Sequence, residues 1–222
     1  HTRLLIVTGV QTAALPISRA RHTRSLTRMM SDHFLQTSHR TAADIRVIER
    51  DVGLHPPAPI SGCWIDAAFT PADQRTTEQR AQLETSDRLI DEVERSDVIL
   101  MATPMYNYGL PASLNAWVDQ IVRVGKTFTF DLSRGDRPLE PIFSGKTLVL
   151  LTAAGEFGFG PGGINADADH LVPHIRTISK YLGTDSLHHI GIEYQEFADE
   201  RFERSKADAM TRVEKLAAKL AD

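Results

Sequence analysis

The chain has little of several things, and each shortage excludes something. One cysteine, Cys63, stands among 222 residues. No disulfide can form within the chain, and a reducing cytoplasm is the expected compartment. Neither sign of charge dominates: 25 Lys and Arg against 29 Asp and Glu leave a formal net charge of -4, with pI near 6.1. The basic stripe that a nucleic-acid partner requires is missing. No run approaches the ~18 consecutive apolar residues of a membrane span, so no membrane association is expected. No basic segment followed by an apolar core precedes the first strand, which argues against a signal peptide. There is no G-x-S-x-G, no P-loop and no G-x-G-x-x-G opening a helix after the first strand, which argues against a hydrolase, an NTPase and a Rossmann dehydrogenase.

What is present is a regular alternation. Apolar runs at Leu4–Val7, Asp44–Ile48, Val98–Ala102, Thr147–Thr152 and Leu187–Ile192 read as five strands. Between them lie amphipathic stretches: Leu26, Met30 and Phe34; Leu83, Leu89, Ile90 and Val93; Leu114, Trp117, Val118, Ile121 and Val122; Leu171, Ile175, Ile178 and Leu182; and finally Phe202, Ala209, Val213, Leu216 and Leu220. Thr76 and Gln79 form a capping-box signature, and Gly183 is placed to end the fourth helix. Solid apolar strands alternating with helices predict an α/β fold, a doubly wound five-stranded parallel sheet covered on both faces. The second strand alternates polar and apolar residues and belongs nearer an edge. One domain over 1–222 is expected, with excursions at about 55–73 and 127–144. The first holds Pro56, Pro57, Pro59 and Pro71 beside Trp64, Ile65 and Phe69; it is either a dimerisation arm or a loop folded back on its own core. The second reads as a short hairpin or lid.

In such a sheet the ligand lies outside the carboxyl ends of the strands. After the third strand comes Thr103-Pro104-Met105-Tyr106-Asn107-Tyr108-Gly109. Its backbone amides, Asn amide and two phenols suit a flat, polar-edged ring, although Asn107 and Gly109 could equally serve a tight turn with positive φ. After the fourth strand comes Ala153-Ala154-Gly155-Glu156-Phe157-Gly158-Phe159-Gly160-Pro161-Gly162-Gly163, whose glycines let backbone N–H groups approach a ligand. His170 and His174 are spaced to share one helix face; no third ligand accompanies them, so a metal is not expected, and a place near the ligand or on the surface stays open.

The string from Pro104 to Tyr108, continued by Trp117, Val118, Asp119, Arg123 and Gly125-Lys126-Thr127-Phe128, resembles the flavin loop of the FMN-dependent NADH:quinone oxidoreductases, or azoreductases. Glu78 to Ile99 resembles the same family. The resemblance implies a flavodoxin-like strand order 2-1-3-4-5, FMN as cofactor, NADH or NADPH as donor, and quinones or azo compounds reduced by ping-pong hydride transfer. It also implies homodimers whose active sites draw on both subunits. FMN contacts are implied for Pro104, Met105, Tyr106, Asn107, Tyr108, Thr152, Ala153, Ala154, Gly155 and Glu156, with phosphate contacts from Ser18 and Thr23. Asn107, Tyr108 and Phe157 are the candidates nearest the reacting ring, and no acid or base is assigned.

Three departures from the family pattern stand out. Tyr108 replaces the commoner Phe. Ala153, Ala154 and Glu156 replace three residues of a Ser-Arg-Gly-Gly loop. Gly9 to Thr23 lacks the family's serines, Ala13 to Ile17 is apolar, and except at Ala13 the segment Val7 to Ile17 matches the translation of a common sequencing adaptor. These departures leave two rival readings: a flavin-free or weakly FMN-binding scaffold with an altered phosphate loop, or a flavodoxin-type electron carrier.

Overall fold

Strand positions coincide with the unbroken apolar runs. The computed structural model describes residues 2–8, 25–42 and 44–221, and within them the chain runs β1 (Arg3–Thr8), α1 (Leu26–Thr41), β2 (Arg46–Asp51), α2 (Gly62–Phe69), α3 (Thr77–Glu94), β3 (Val98–Pro104), α4 (Ala112–Ile121), β4 (Phe128–Phe130), β5 (Leu139–Pro141), β6 (Lys146–Ala153), α5 (Val172–Ile178), β7 (Thr184–Ile192) and α6 (Glu200–Ala221). The main sheet is parallel with order β2-β1-β3-β6-β7, the flavodoxin-like order expected. β2 lies at an edge as its alternation predicts, but it begins at Arg46, not Asp44. Pairing with Arg3–Thr8 sets its limits.

Alternate residues of each strand feed opposite layers. Leu5, Val7, Ile99, Met101, Leu148 and Leu150 pack with Leu89, Val93, Leu114, Trp117, Ile121 and Ile175 under α3, α4 and α5. Leu4, Ile6, Leu100, Val149, Leu151 and Ile190 pack with Met30, Phe34, Ala209, Val213 and Ala217 under α1 and α6. Each fully buried Leu, Ile, Val, Phe or Met stabilises the fold by roughly 1.5–3 kcal/mol.

The capping box at Thr76 and Gln79 is formed, and Gly183 takes a left-handed φ of 80° where a Cβ would meet Phe143 at 2.6 Å. The expected helix from Leu171 to Leu182 divides. α5 ends at Ile178 and a 3₁₀ turn covers Ser179–Leu182. His170 precedes the helix, so it and His174 do not share a helix face.

The two excursions have structure of their own. The Pro-rich one contains α2, capped by Ser61, whose Oγ accepts from the Trp64 amide. Trp64 folds back: it is buried with Ala67, Ala68 and Leu83, and its Nε1 donates to Gln120 Oε1 at 3.0 Å while Gln120 Nε2 donates to Ala58 O at 2.8 Å. Ile65 and Phe69, at 45% and 73% exposure, face outward. The second excursion is the antiparallel hairpin β4–β5.

Candidate active site

β3 and β6 are hydrogen-bonded neighbours, in register to Pro104 opposite Ala153, so the loops that leave their carboxyl ends begin side by side. The first bond between the loops is Met105 N to Ala153 O, 2.8 Å. Met105 then packs on the core, and the chain reverses through a two-residue turn. Tyr106 and Gly109 exchange both backbone hydrogen bonds, at 3.0 and 2.9 Å. Asn107 and Tyr108 take φ of 48° and 65°, as a type I′ turn requires of both central residues. The left-handed pair is therefore Asn107 and Tyr108, not Asn107 and Gly109. Tyrosine pays a steric cost there that asparagine largely avoids.

Two further bonds tie this turn to the chain beyond β6. Tyr108 O accepts from His170 N at 2.9 Å, and Tyr108 OH donates to Glu156 Oε1 at 3.2 Å. The hydrogen bond to Glu156, and its charge, hold the Tyr108 phenol above its usual range, while burial alone raises that of Tyr106. Both phenols are neutral donors near pH 7.

The loop after β6 is pinned from below by the segment after β7. Ala154 N donates to Ile192 O at 2.9 Å, and Gln195 N and Glu196 N donate to Ala154 O and Gly155 O at 3.2 Å. The Glu193 carboxylate accepts from Gly158 N at 3.0 Å and Phe159 N at 3.1 Å. Phe157 stacks on Tyr194 with ring centroids 4.4 Å apart and 9° between planes, and Phe197 meets both rings edge-on. The Arg201 guanidinium, bonded to Asp199, lies 4.7 Å from the centre of Phe197 and 5.1 Å from that of Tyr194. One face of Phe157 is thus taken by Tyr194.

Several backbone donors on these loops have no partner within the protein. Among the described residues, the amides of Asn107, Tyr108, Gly155, Glu156 and Phe157 donate to nothing. Five free N–H groups around the ends of two adjacent strands match the carbonyl and ring-nitrogen acceptors along the edge of an isoalloxazine. Ala153 and Ala154 are buried, so their side chains pack and only their backbone reaches the loop. The Thr152 hydroxyl is 2.8 Å from His189 Nε2. Ser18 and Thr23 lie outside the described residues. A small, mainly apolar concavity lined by Leu4, Phe34, Val98 and Leu220, with Thr2 and Ser38, opens at the opposite, amino-terminal edge of the sheet.

Sequence reasoning gave Glu193, Tyr194, Phe197 and Arg201 no role. It considered the loops after the first, third and fourth strands, and took His188-His189 for an ordinary edge feature at the start of the last strand, whereas His189 lies within β7. The cluster of Glu193-Tyr194 and Phe197 just past a strand's carboxyl end was the available signal.

Residues 15–217 match a family model described as having a flavodoxin-like fold. The FMN-dependent NADH:quinone oxidoreductase 2 of Idiomarina loihiensis is 53% identical over 196 residues, covering 88% of this chain and 82% of the relative. Its namesake from Colwellia psychrerythraea is 50% identical over 196 residues, covering 88% and 90%. Among solved structures, an azoreductase from Bacillus anthracis superposes with a TM-score of 0.83 at 18% identity, covering 99% of this chain and 100% of that one; at that identity the likeness is one of fold.

Proposed function

The chain belongs to the family of FMN-dependent NADH:quinone oxidoreductases of flavodoxin-like fold, and on that premise we propose that the free amides of the β3 and β6 loops hold the flavin edge of an enzyme that reduces quinones or azo compounds. When bound, FMN supplies a two-electron relay between NADH or NADPH and the oxidant, in ping-pong order. The protein's own part is to position and to tune. The amides of Gly155, Glu156 and Phe157 present partial positive charge where a reduced ring carries negative charge, and the turn at Asn107 and Tyr108 presents two more. The observation that carries this reading is the set of five unpaired amides around one strand-end junction, in a chain half identical to named members of the family.

The finer parts of the reading are a single folded unit over 1–222, a homodimer, and a cytoplasmic location. The dimer rests on Ile65 and Phe69 of α2 and on Phe130 and Leu132 of the hairpin, all exposed, since apolar side chains of this size at the surface are characteristic of interfaces. The location rests on Cys63 as the one cysteine.

The test is an absorbance spectrum of the purified protein with and without added FMN, followed by anaerobic NADH. Bound flavin whose bands bleach with NADH supports the enzyme. Flavin that stays oxidised favours a carrier. Failure to retain FMN at any concentration favours the scaffold reading, in which the altered Gly9–Thr23 segment has removed affinity.

A further inference from the structure

Two of the chain's departures from the family pattern, Tyr108 for Phe and Glu156 for Gly, meet each other. They sit on different loops, yet the phenol donates to the carboxylate across the gap between those loops at 3.2 Å. Tyr108 is 43% exposed and Glu156 is exposed, so the bonded pair lies at the surface of the two loops that carry the free amides. A second carboxylate, that of Glu196, lies close over Gly155, where a Cβ would meet its side chain at 2.7 Å. The nearby charges do not cancel these two. Arg201 is engaged by Asp199 and the aromatic cluster, and among the described residues neither Glu156 nor Glu196 forms an ion pair.

We propose that the Tyr108–Glu156 bridge makes this site select oxidants by charge, admitting neutral quinones and azo compounds and disfavouring those with a sulfonate or carboxylate near the reacting end. The inference rests on the flavin-site reading. The physical basis is simple. A phenol–carboxylate bond fixes a negative charge beside the free amides, and a fixed charge near a bound anion repels it by an amount that salt screening weakens. A Phe and a Gly in these positions carry neither the charge nor the tether. Because Glu156 is exposed, the effect belongs to the range of surface electrostatics, a several-fold preference and not an absolute barrier.

The experiment compares the FMN-loaded wild type with Glu156→Gln and Tyr108→Phe. In a ping-pong enzyme kcat/KM for the oxidant reports the oxidative half-reaction alone, so the probes are 2-methyl-1,4-naphthoquinone and 1,2-naphthoquinone-4-sulfonate, measured at low salt and at about 0.5 M salt. For Glu156→Gln the anionic-to-neutral ratio of kcat/KM is expected to rise about 3- to 10-fold at low salt and to move back toward wild type at high salt. Tyr108→Phe, which unties the charge without removing it, gives a smaller rise. A second readout needs no turnover: by calorimetry, Glu156→Gln tightens binding of 1-naphthol-4-sulfonate relative to 1-naphthol by a similar factor. Ratios within twofold of wild type by both readouts, in variants that retain FMN, overturn the proposal. A wild type that binds no FMN, or is not reduced by NADH, overturns the flavin-site reading and the inference with it.

Discussion

The proposed site draws on the backbone of two residues, Asn107 and Tyr108. Both occupy the left-handed region, and their amides are turned outward because the Tyr106–Gly109 pair closes the turn beneath them. Asn107→Ala is expected to cost about 1 kcal/mol, whereas Asn107→Gly holds stability within about half of that; urea midpoints of the two variants check this. His189 makes a second prediction at this scale. Burial lowers its pKa, and Asp169 and Glu193 oppose that shift while Arg212 and Arg176 add to it. Proton linkage gives the sign. Above about pH 6.5 the ring is neutral in both states. Below it the unfolded chain takes up a proton that the folded one refuses, so stability falls as pH drops, by at most about 1.4 kcal/mol per pH unit for one proton. Unfolding free energies measured between pH 7.5 and 5.5 are expected to fall less in His189→Gln than in the wild type. These features were partly legible: the PMYNY string named the turn, but nothing local to His189 told of Thr152, which comes within 2.8 Å only through the register of β6 and β7.

At the scale of elements, the loop after β6 does not hold itself. Its ends are fixed by β6, but its middle is fastened by Glu193 and by the Phe157–Tyr194 stack, both contributed by the segment beyond β7. Glu193→Ala releases two amides and is expected to weaken FMN binding several-fold, read by fluorescence titration. The Trp64–Gln120–Ala58 chain of hydrogen bonds does the same for the Pro-rich excursion, fastening α2 to α4. Nearby, Arg123 is buried and bonds Ser86 and Asp87. Burial raises the Asp87 pKa, but the hydrogen bond and charge of Arg123, joined by Lys126, outweigh it and hold the carboxyl below its usual range. Arg123→Met is expected to destabilise the fold by roughly 1–2 kcal/mol, because it leaves the buried Ser86 hydroxyl without its donor while Asp87, half exposed, keeps Lys126, measured as a shift in thermal midpoint.

For the molecule as a whole, the exposed apolar residues of α2 and of the hairpin are the surface on which a homodimer is proposed. Sedimentation is expected to give twice the chain mass of 24.7 kDa, and Phe69→Asp is expected to weaken association at least about tenfold, since a charge left unpaired in an apolar contact costs well over about 1.4 kcal/mol. FMN supplied at about a hundred times its Kd is expected to raise the unfolding free energy by about 2.7 kcal/mol, with the heat transition remaining a single step.

By itself the sequence determined the fold class and the succession of strands and helices along the chain, because hydrophobic period, capping residues and the length of apolar runs are local properties that survive in any register; the order of strands in the sheet came from the family resemblance. It also determined the chemistry of the β3 loop, where one short run from Pro104 to Gly109 carries the turn and its donors. Tertiary structure alone decided the rest. Trp64 turns inward while Phe69 on the same helix turns outward because Gln120, distant in sequence, accepts the indole N–H. Glu193 and Tyr194 became part of the site because β7 lies beside β6 and delivers them under its loop. Tyr108 and Glu156 became a pair because β3 and β6 end level with each other. Contacts between residues tens of positions apart depend on strand register and helix packing, which are set by the whole core at once and leave no trace in any short stretch of the chain.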